Sequence, residues 1–326
     1  MVKVAIVGAT GVVGTKMIEM FEQYGIEADE ITLLSSARSA GKKLQVMDEE
    51  LTVQELTDET PTQRFDYVVM SAGGATSRQF APLFEENGSI VIDNSSQWRM
   101  HEDIDLIVPE INAPRLDRKI IANPNCSTIQ SVVALQPLKE LFGLKRVNYT
   151  TYQAVSGSGS GGLRDLEEGA RGEAPTTYPH PIHDNVLPHI DVFLENGYTK
   201  EEQKMIDETR KILELPGLAV SATCVRVPVS NSHSVHMNVT LENDATEEEV
   251  RNAFRNLPHI TLVDNPENSE YPTPLESTGR PEVFVGRIRR DDSLENTFHV
   301  WCTADNILKG AAQNSVQILK QIMERE

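Results

Sequence analysis

The sequence predicts an α/β protein of two domains, the first of which contains a parallel sheet with crossover helices. At 326 residues the chain exceeds one ordinary core and suits two domains of the usual ~100–200 residues. In the first third, short apolar runs alternate with amphipathic segments, as in strands joined by crossover helices. After residue 126 the apolar runs are longer and alternate with a period of two, which favours a mostly antiparallel sheet.

The first domain is expected to begin with a strand and to continue as alternating strands and helices. We predict strands over residues 2–7, 30–35, 66–71, 89–93, near 107 and over 120–121, and a helix over 12–24. The ends of parallel strands border the ligand crevice of an open sheet. Residues 71–74 and 94–96, which follow two of these strands, are therefore candidates for ligand contact.

The second half is predicted to hold the longer strands and three helices. Strands are expected over 147–155, 218–229 and 235–241, and helices over 127–142, 199–213 and 308–323. The last helix is amphipathic and could pack onto the first domain. We therefore predict a discontinuous first domain, 1–125 and 307–326, and a second domain, 126–306.

Composition excludes several classes of function. The formal net charge of −19, without a long Lys/Arg run, argues against a nucleic-acid partner. No apolar run approaches the ~18 residues that span a bilayer, and the first residues enter a strand pattern directly, so no membrane partner and a cytoplasmic location are expected. Three cysteines cannot form a disulfide framework, which indicates reduced thiols, and no metal site is expected.

A glycine-rich segment, KVAIVGATGVVG, lies between the first strand and the first helix. Gly8, Gly11 and Gly14 allow a tight turn and a close backbone approach, and the helix N-terminus offers N–H groups to a pyrophosphate. A glycine trio alone is weak evidence and also occurs in incidental turns. Its position between strand and helix favours a Rossmann-type dinucleotide site.

The end of the second strand indicates which dinucleotide is bound. An acidic residue there would hold the ribose 2′-hydroxyl of NAD, but the sequence has SSARS instead. Arg38 can pair with a 2′-phosphate, and neighbouring hydroxyls such as that of Ser39 can donate to the same group. We predict NADP, although Arg38 as a solvated loop residue remains the alternative.

Cys126 follows an apolar strand and begins a predicted helix in NPNCST. A helix N-terminus favours a thiolate, which is the nucleophilic form of the side chain. Cys224 and Cys302 lie within apolar runs, where an inert buried thiol is the default. We therefore predict Cys126 as a nucleophile, with core packing as the alternative.

Strand periodicity separates two of the eight histidines as partners for such a thiol. His233 shares parity with the apolar positions of 235–241, so it should stand at the inner end of a buried face. His236 shares parity with polar positions and should face water. His233 is the better acid/base candidate, but a structural histidine remains as good an interpretation.

Two arginines are candidate anion anchors. Arg226 lies within an apolar run, where a charge is rarely buried without a partner, whereas Arg99 could equally be a surface residue. Glu201 and Lys204 are spaced i, i+3 on a predicted helix. On spacing alone they form an ordinary surface pair worth roughly 0.2–0.5 kcal/mol.

Taken together, VGATGVVG, SARSAG, NPNCSTIQ, YQAVSGSG, CVRVPVSNSH and DNILKGAAQNSVQI resemble the aspartate-semialdehyde dehydrogenase family almost from end to end. The resemblance implies a Rossmann-type NADP-binding domain and an α+β catalytic domain similar to that of glyceraldehyde-phosphate dehydrogenase. It also implies a homodimer, possibly a tetramer, with the catalytic domain at the interface. The segment 164–183 looks shorter than in some members, which bears on that interface and on cofactor approach.

The resemblance also implies a role for each site residue. Cys126 would be the nucleophile, His233 the acid/base, and Gln153 the group that orients the substrate. Substrate and phosphate would be held by Arg99, Asn125, Glu201, Lys204 and Arg226, which reverses the surface interpretation of the Glu201–Lys204 pair. Contacts to NADP would come from Gly8, Thr10, Gly11, Val12, Val13, Arg38, Ser39, Ser156, Gly157 and Asn306.

The implied reaction is the NADPH-dependent conversion of 4-aspartyl phosphate to aspartate 4-semialdehyde through a thioester on Cys126, in lysine, threonine and methionine biosynthesis. Two alternatives stay open. An enzyme like N-acetyl-glutamyl-phosphate reductase would use the same chemistry on a substrate without an ammonium group for Glu201. A non-catalytic NADP-binding regulator would not need Cys126 at all.

Overall fold

The computed structural model describes residues 1–325, and these form two compact units. One unit comprises residues 1–125 together with the chain from Ala311 onward, and the other comprises Cys126–Gly310. No helix within the described residues is long and apolar enough to cross a membrane.

The first unit contains nine short strands and two helices before residue 126. The strands are β1 (Lys3–Val7), β2 (Glu30–Ser35), β3 (Lys43–Val46), β4 (Glu49–Thr52), β5 (Gln54–Glu55), β6 (Tyr67–Met70), β7 (Ile90–Asp93), β8 (Asp105–Leu106) and β9 (Ile120–Ala122). The helices are α1 (Val12–Gln23) and α2 (Gly74–Glu86). A single 3₁₀ turn, Thr60–Gln63, lies between β5 and β6.

The second unit, over the described residues, contains six strands and five helices. The strands are β10 (Leu144–Gln153), β11 (Ala219–Arg226), β12 (His233–Leu241), β13 (Ile260–Leu262), β14 (Val283–Arg290) and β15 (Thr297–Ala304). The helices are α3 (Cys126–Phe142), α4 (Gly159–Gly169), α5 (Lys200–Ile212), α6 (Glu247–Asn252) and α7 (Pro274–Ser277). A π turn, Leu308–Ala312, leads into the last helix of the chain, α8 (Gln313–Met323).

The first-unit sheet is parallel throughout, in the order β5-β2-β1-β6-β7-β9-β8. Its central strands are buried on both faces, as a parallel sheet covered by crossover helices requires. The predicted parallel α/β arrangement is confirmed. The bounds of β2 are as predicted, and the other predicted strands of this unit differ by one to two residues at their ends. The β3–β4 hairpin and β5 were not predicted.

Helix α8 packs within the first unit. Asn314 Nδ2 donates to Asn123 Oδ1 at 2.7 Å and to the Ile107 carbonyl at 3.0 Å. Lys320 Nζ donates to the Tyr24 carbonyl at 2.9 Å. The sequence predicted one continuous helix over 308–323, whereas the structure begins that segment with the π turn.

The second-unit sheet is mixed, in the order β11-β10-β12-β15-β14-β13. The pairs β10–β12, β12–β15 and β14–β15 are antiparallel, while β10–β11 and β13–β14 are parallel. Helix α3 is largely buried, and its residues Ile129, Val132 and Val133 belong to the core. This mostly antiparallel sheet carries several of the predicted site residues at strand ends.

Candidate functional site

The glycine-rich loop of the first unit forms a pocket of about 410 Å³ at the end of β1. Gly8 has a φ of 84°, and a Cβ at this position would lie 2.2 Å from the Ser71 carbonyl oxygen. A Cβ at Gly14 would lie 2.1 Å from the Gly8 carbonyl oxygen. Only glycine therefore permits the loop to close between two strands and a helix, as a dinucleotide loop requires.

Helix α1 starts at Val12 directly after this loop. The N–H groups of Val12 and Val13 belong to its first turn and so have no partner within the helix. Together with the helix dipole they favour an anionic group at the pocket, which is lined by Thr10 and Gly11. The chemistry of this loop fits the pyrophosphate of a dinucleotide.

Arg38 lines the same pocket beyond the end of β2 and is exposed. Thr10 and Ser35 line this pocket too, and Thr10 Oγ1 lies 3.0 Å from Ser35 Oγ and 3.2 Å from Ser39 Oγ. A cation and hydroxyls that line one pocket suit a 2′-phosphate, and β2 ends in a serine and not in a carboxylate.

Arg99 is buried in the first unit, with 7% of its surface exposed, so the surface alternative is wrong. Its Nε donates to the Asn123 carbonyl at 2.9 Å and its Nη2 to the Asn94 carbonyl at 2.8 Å. These bonds fix the side chain at the ends of β7 and β9. Asn125 is buried at the end of the same chain segment, immediately before the cysteine.

Asp93 is a buried carboxyl group beside Arg99 that the sequence did not single out. Burial raises the pKa of Asp93. Hydrogen bonds from Ser95 and Ser77 and the charge of Arg99 lower it, but by less. Ser95 Oγ donates to Asp93 Oδ2 at 2.5 Å, which ties down the turn that carries Arg99.

Cys126 is the first residue of α3, as predicted, and it is the partly exposed one of the three cysteines, all of which lie within residues 1–325. Cys224 and Cys302 are fully buried. Burial raises the pKa of the Cys224 thiol and raises that of Cys302 to about 12. Both prefer the neutral thiol, and Cys126 is the most accessible thiol of the three.

The π turn packs closely against Cys126. A Cβ at Gly310 would lie 2.7 Å from the Cys126 Cβ and 3.1 Å from its Cα. Gly310 N donates to the Asp305 carbonyl at 3.3 Å, which closes the turn. The absence of a side chain at Gly310 therefore lets this turn define the position of Cys126.

His233 is the first residue of β12 and is completely buried. Its Nδ1 accepts a hydrogen bond from the Ala154 backbone N–H at 2.9 Å, and its Nε2 has no hydrogen-bond partner among residues 1–325. Burial and the Arg226 charge lower the pKa of His233 to about 3, against the opposing effect of Glu201. Gln130, one helical turn after Cys126, donates from Nε2 to the His233 carbonyl at 3.1 Å.

His236 does not simply face water, as its parity predicted. It is partly buried, and its Nε2 lies 2.9 Å from Nδ1 of His299 on the neighbouring strand. Burial and the proximity of His299 and Arg289 lower the pKa of His236 to about 4. The strand period was read correctly, but the cross-strand neighbour that covers the ring could not be predicted from one strand.

Arg226 is the last residue of β11 and is 5% exposed. It pairs in register with Gln153 at the end of β10, and its Nη1 donates to the Ala154 carbonyl at 2.7 Å. A Cβ at Gly157 would lie 3.0 Å from Arg226 Nη1 and 3.4 Å from His233 Nε2. The guanidinium and the imidazole therefore flank one backbone position.

The Glu201–Lys204 pair is largely buried, so the surface interpretation is wrong. Lys204 Nζ lies 3.0 Å from Glu201 Oε2 and 2.8 Å from Asp191 Oδ2. Burial alone would lower the pKa of Lys204, but these two carboxylates hold it above its usual value. Gln153 Nε2 donates to Glu201 Oε1 at 3.1 Å, which joins the pair to the strand end that pairs with Arg226.

Ser156 and Asn306 form a buried polar contact beside the histidine strand. Asn306 Oδ1 accepts from the Ser232 N–H at 2.9 Å, and Asn306 Nδ2 donates to Ser156 Oγ at 3.0 Å. Ser232 has a φ of 71°, a conformation that this bond helps to hold. Both residues predicted as cofactor contacts thus fix the chain immediately before His233.

The segment 164–183, which the sequence marked as atypical, is tied to Asp165. This carboxylate accepts the N–H groups of Thr176, Thr177 and Tyr178. The Tyr178 ring lies 5.9 Å from the Arg226 guanidinium. The segment therefore places an aromatic ring beside the Arg226 guanidinium. The described residues contain no His/Cys/Asp/Glu cluster that could hold a metal ion.

Comparisons with known proteins decide the family. Residues 3–119 match the semialdehyde dehydrogenase NAD-binding domain, and residues 135–309 match the semialdehyde dehydrogenase dimerisation domain. The aspartate-semialdehyde dehydrogenase of Aquifex aeolicus is 47% identical over 99% of this chain and 98% of its own length, and that of Bacillus subtilis is 45% identical over 98% and 96%. The chain belongs to the aspartate-semialdehyde dehydrogenase family.

Solved structures of the family agree with the fold. Aspartate-semialdehyde dehydrogenase II of Vibrio cholerae, complexed with ASA, has a TM-score of 0.95 at 39% identity and covers 99% of this chain and 98% of its own. The enzyme of Candida albicans, with NADP, has a TM-score of 0.78 at 26% identity and covers 99% of each chain.

Most of the second-unit residues to which the family resemblance assigns a role lie close together. Contacts link the following residues into one cluster: Gln153, Gly157, Glu201, Lys204, Arg226 and His233. The loop residues of the first unit gather separately around the pocket at the end of β1.

Four further residues of the second unit shape the site without having been predicted. Gln130 acts through its side-chain amide and Ala154 through its backbone N–H. Asp191 contributes a loop carboxylate, and Gly310 acts because it has no side chain. Gln130 could have been identified from the sequence, because it lies four residues after Cys126 and so on the same face of α3. The other three depend on tertiary contacts.

Proposed function

We propose that this oxidoreductase of the aspartate-semialdehyde dehydrogenase family reduces 4-aspartyl phosphate to aspartate 4-semialdehyde with NADPH, through a thioester on Cys126. It would serve the biosynthesis of lysine, threonine and methionine. One observation carries the proposal: a buried cation, Arg226, and a buried anion, Glu201, lie in one contact cluster. Gly157 lies beside both Arg226 and His233, and Gln153, which pairs with Arg226, donates to Glu201. This arrangement suits a substrate that carries a carboxylate and an ammonium group on one carbon, away from its reacting end.

Each residue then has one task. Arg226 binds the carboxylate, in keeping with its donor-rich guanidinium, and Glu201 binds the ammonium. Arg99 and Lys204 neutralise the phosphate, Asn125 borders the same site, and Gln153 orients the acyl group while it holds Glu201. Cys126 attacks the acyl carbon, and phosphate leaves.

Residues of the first unit would hold the cofactor. Gly8, Thr10, Gly11, Val12 and Val13 would bind the pyrophosphate through the loop and the start of α1, and Arg38 with Ser39 would bind the 2′-phosphate. Ser156, Gly157 and Asn306 would border the nicotinamide. When bound, the reduced nicotinamide supplies the hydride that converts the thioester to the aldehyde. The related structure from Candida albicans, which contains NADP, supports this preference.

Phosphate-dependent reduction of NADP with aspartate semialdehyde tests the proposal. The unaltered protein is expected to reduce NADP only when phosphate is present, Cys126→Ala is expected to be inactive, and Cys224→Ala is the matched control. No reduction by the unaltered protein would contradict the proposal. An unaffected Cys126→Ala variant would remove this residue from the mechanism and favour a non-catalytic regulator.

Substrate choice separates the nearest competing activity. The ammonium partner Glu201 favours aspartyl phosphate over N-acetyl-glutamyl phosphate, which has no ammonium group. Assaying both acyl phosphates should show a preference for the aspartyl compound. The reverse preference would assign the N-acetyl-glutamyl-phosphate reductase activity instead.

A homodimer is part of the proposal, with a tetramer as the larger possibility. Support comes from the match of residues 135–309 to a dimerisation domain. Light scattering after size-exclusion chromatography should give twice the 36.2 kDa chain mass for the dimer. A cytoplasmic location is proposed with it, because the three thiols are expected to stay reduced.

A further inference from the structure

Asp191 lies in the loop that leads into α5, and both of its carboxylate oxygens have partners. Oδ1 accepts the N–H of Val192 at 2.9 Å, and Oδ2 accepts from Lys204 Nζ at 2.8 Å. The φ of Asp191 is 68°, in the left-handed region that aspartate and asparagine tolerate better than most residues. One side chain therefore holds a turn of its own backbone and a cation on the helix.

Backbone bonds fasten the same loop to the start of α5. The Lys200 N–H donates to the Val192 carbonyl at 2.8 Å, and Phe193 pairs with Thr199 in an isolated antiparallel bridge. The chain from residue 192 to residue 200 therefore doubles back on itself. This arrangement keeps Asp191 beside the N-terminal turns of the helix.

The turn at residue 191 does not by itself require an aspartate. Shortly before it, Asn185 makes the same kind of bond with an amide oxygen, because its Oδ1 accepts the N–H of Val186 at 2.9 Å. An asparagine at position 191 can accept the Val192 N–H in the same way, since it has an equivalent oxygen. What a carboxylate adds at this position is a negative charge beside Lys204.

Lys204 is shared between two carboxylates. An ammonium group has three donors, and Glu201 Oε2 and Asp191 Oδ2 accept two of them at 3.0 and 2.8 Å. Burial alone would raise the pKa of Asp191, but the contact with Lys204 holds it below its usual value, so this carboxylate is ionised at neutral pH. The ion pair of Glu201 and Lys204 would be neutral by itself, whereas with Asp191 the three groups carry one net negative charge.

We propose that Asp191 is a positioning residue that sets the charge of the substrate site. By sharing Lys204, it leaves Glu201 negative enough to bind the substrate ammonium, and it limits how tightly Lys204 holds phosphate. The inference rests on the proposed function, in which phosphate is the leaving group and must be released. Asp191 makes and breaks no covalent bond in this role, and it transfers no proton.

Asp191→Asn tests the charge while keeping the turn. KM for aspartate semialdehyde should rise and KM for phosphate should fall, each roughly 3–10-fold, because a unit charge close to a partly exposed site attracts the ammonium and repels the phosphate. A purely structural role would move both constants in the same direction. Asp184→Asn is the matched control, since Asp184 also has a positive φ, of 52°, but its side chain is 92% exposed.

Calorimetric titration with inorganic phosphate, in the presence of NADP, measures the charge effect without turnover. Kd for phosphate should fall roughly 3–10-fold in Asp191→Asn and stay unchanged in Asp184→Asn. Phosphate binding to Asp191→Asn that is equal to that of the unaltered protein, weaker or absent would overturn the inference, as would a rise of both KM values. Failure of the proposed function is a different result, because the unaltered protein would then lack phosphate-dependent activity.

Discussion

The buried charges of the second unit are each held by a specific partner. Arg226 donates to the Ala154 carbonyl, and Lys204 lies between Glu201 and Asp191. Burying these charges costs desolvation free energy, and removing one member of a pair leaves its partner as an uncompensated buried charge. Substitution of any of these groups should therefore destabilise the fold. A substrate that carries a carboxylate and an ammonium group on one carbon would add partners to Arg226 and Glu201 and so offset part of that cost.

Glu201→Gln is expected to weaken substrate binding. A hydrogen bond to a charged group contributes about 1.5–3 kcal/mol, so KM for aspartate semialdehyde should rise roughly 10–100-fold, with a smaller change in kcat. Steady-state kinetics measure both constants, and the exposed Glu195→Gln is the control. An unchanged KM would show that Glu201 does not bind the ammonium.

Arg38→Asp is expected to change cofactor preference. The substitution removes the cation proposed to bind the 2′-phosphate and adds a repulsive charge, so KM for NADPH should rise at least ~10-fold while KM for NADH changes much less. Arg64→Asp, at an exposed residue directly after the 3₁₀ turn Thr60–Gln63, is the control. Equal losses with both cofactors would remove Arg38 from the 2′-phosphate site.

At the scale of elements, the start of α3 and the π turn together fix the position of Cys126. The turn approaches so closely that Gly310 has no room for a Cβ beside Cys126. π turns inserted in helices often occur at functional sites. The position of Cys126 therefore depends on an element more than 180 residues along the chain.

Gly310→Ala is expected to displace Cys126. With a Cβ 2.7 Å from that of Cys126, one of the two segments must move, and kcat should fall at least ~10-fold because misplaced reacting groups lose turnover. The alkylation rate of Cys126 should change with it. Gly217→Ala, where the added Cβ meets nothing within 4 Å, is the control. Unchanged kcat and alkylation in Gly310→Ala would contradict this role.

Local patterns predicted the elements but not how they meet. The bounds predicted for β2 match Glu30–Ser35, and Cys126 was correctly placed at a helix start. A period of two is the same in parallel and antiparallel strands, so the parallel β10–β11 pair could not be predicted from it. The π turn likewise results from a tertiary contact at Gly310.

At the scale of the whole molecule, the three thiols differ because of where the fold places them. Cys224 and Cys302 are buried in the second unit and their pKa values are raised, while Cys126 is partly exposed. Iodoacetamide at pH 7.5 should therefore modify one thiol per native chain and all three after denaturation, as counted by intact mass. Modification of Cys224 or Cys302 in the native protein would contradict the predicted protection.

The net charge of −19 affects how the protein binds anions. A protein that repels anions over its surface needs local cations to bind a phosphorylated substrate and a phosphorylated cofactor. The sequence alone identified Arg38, Arg99 and Arg226 as candidates. The largely buried environment of Lys204 became clear only when α5 and the loop of Asp191 were seen together, because their contact is not encoded in spacing along the helix.

Trapping the acyl group on the enzyme tests the central claim most directly. The protein is mixed with aspartate semialdehyde and NADP without phosphate, quenched in acid, digested and analysed by mass spectrometry. Without phosphate to release it, the acyl group should remain as a thioester on the peptide that contains Cys126 and should be missing in Cys126→Ser. An acyl group on another residue, or turnover without any adduct in rapid-quench samples, would contradict the account.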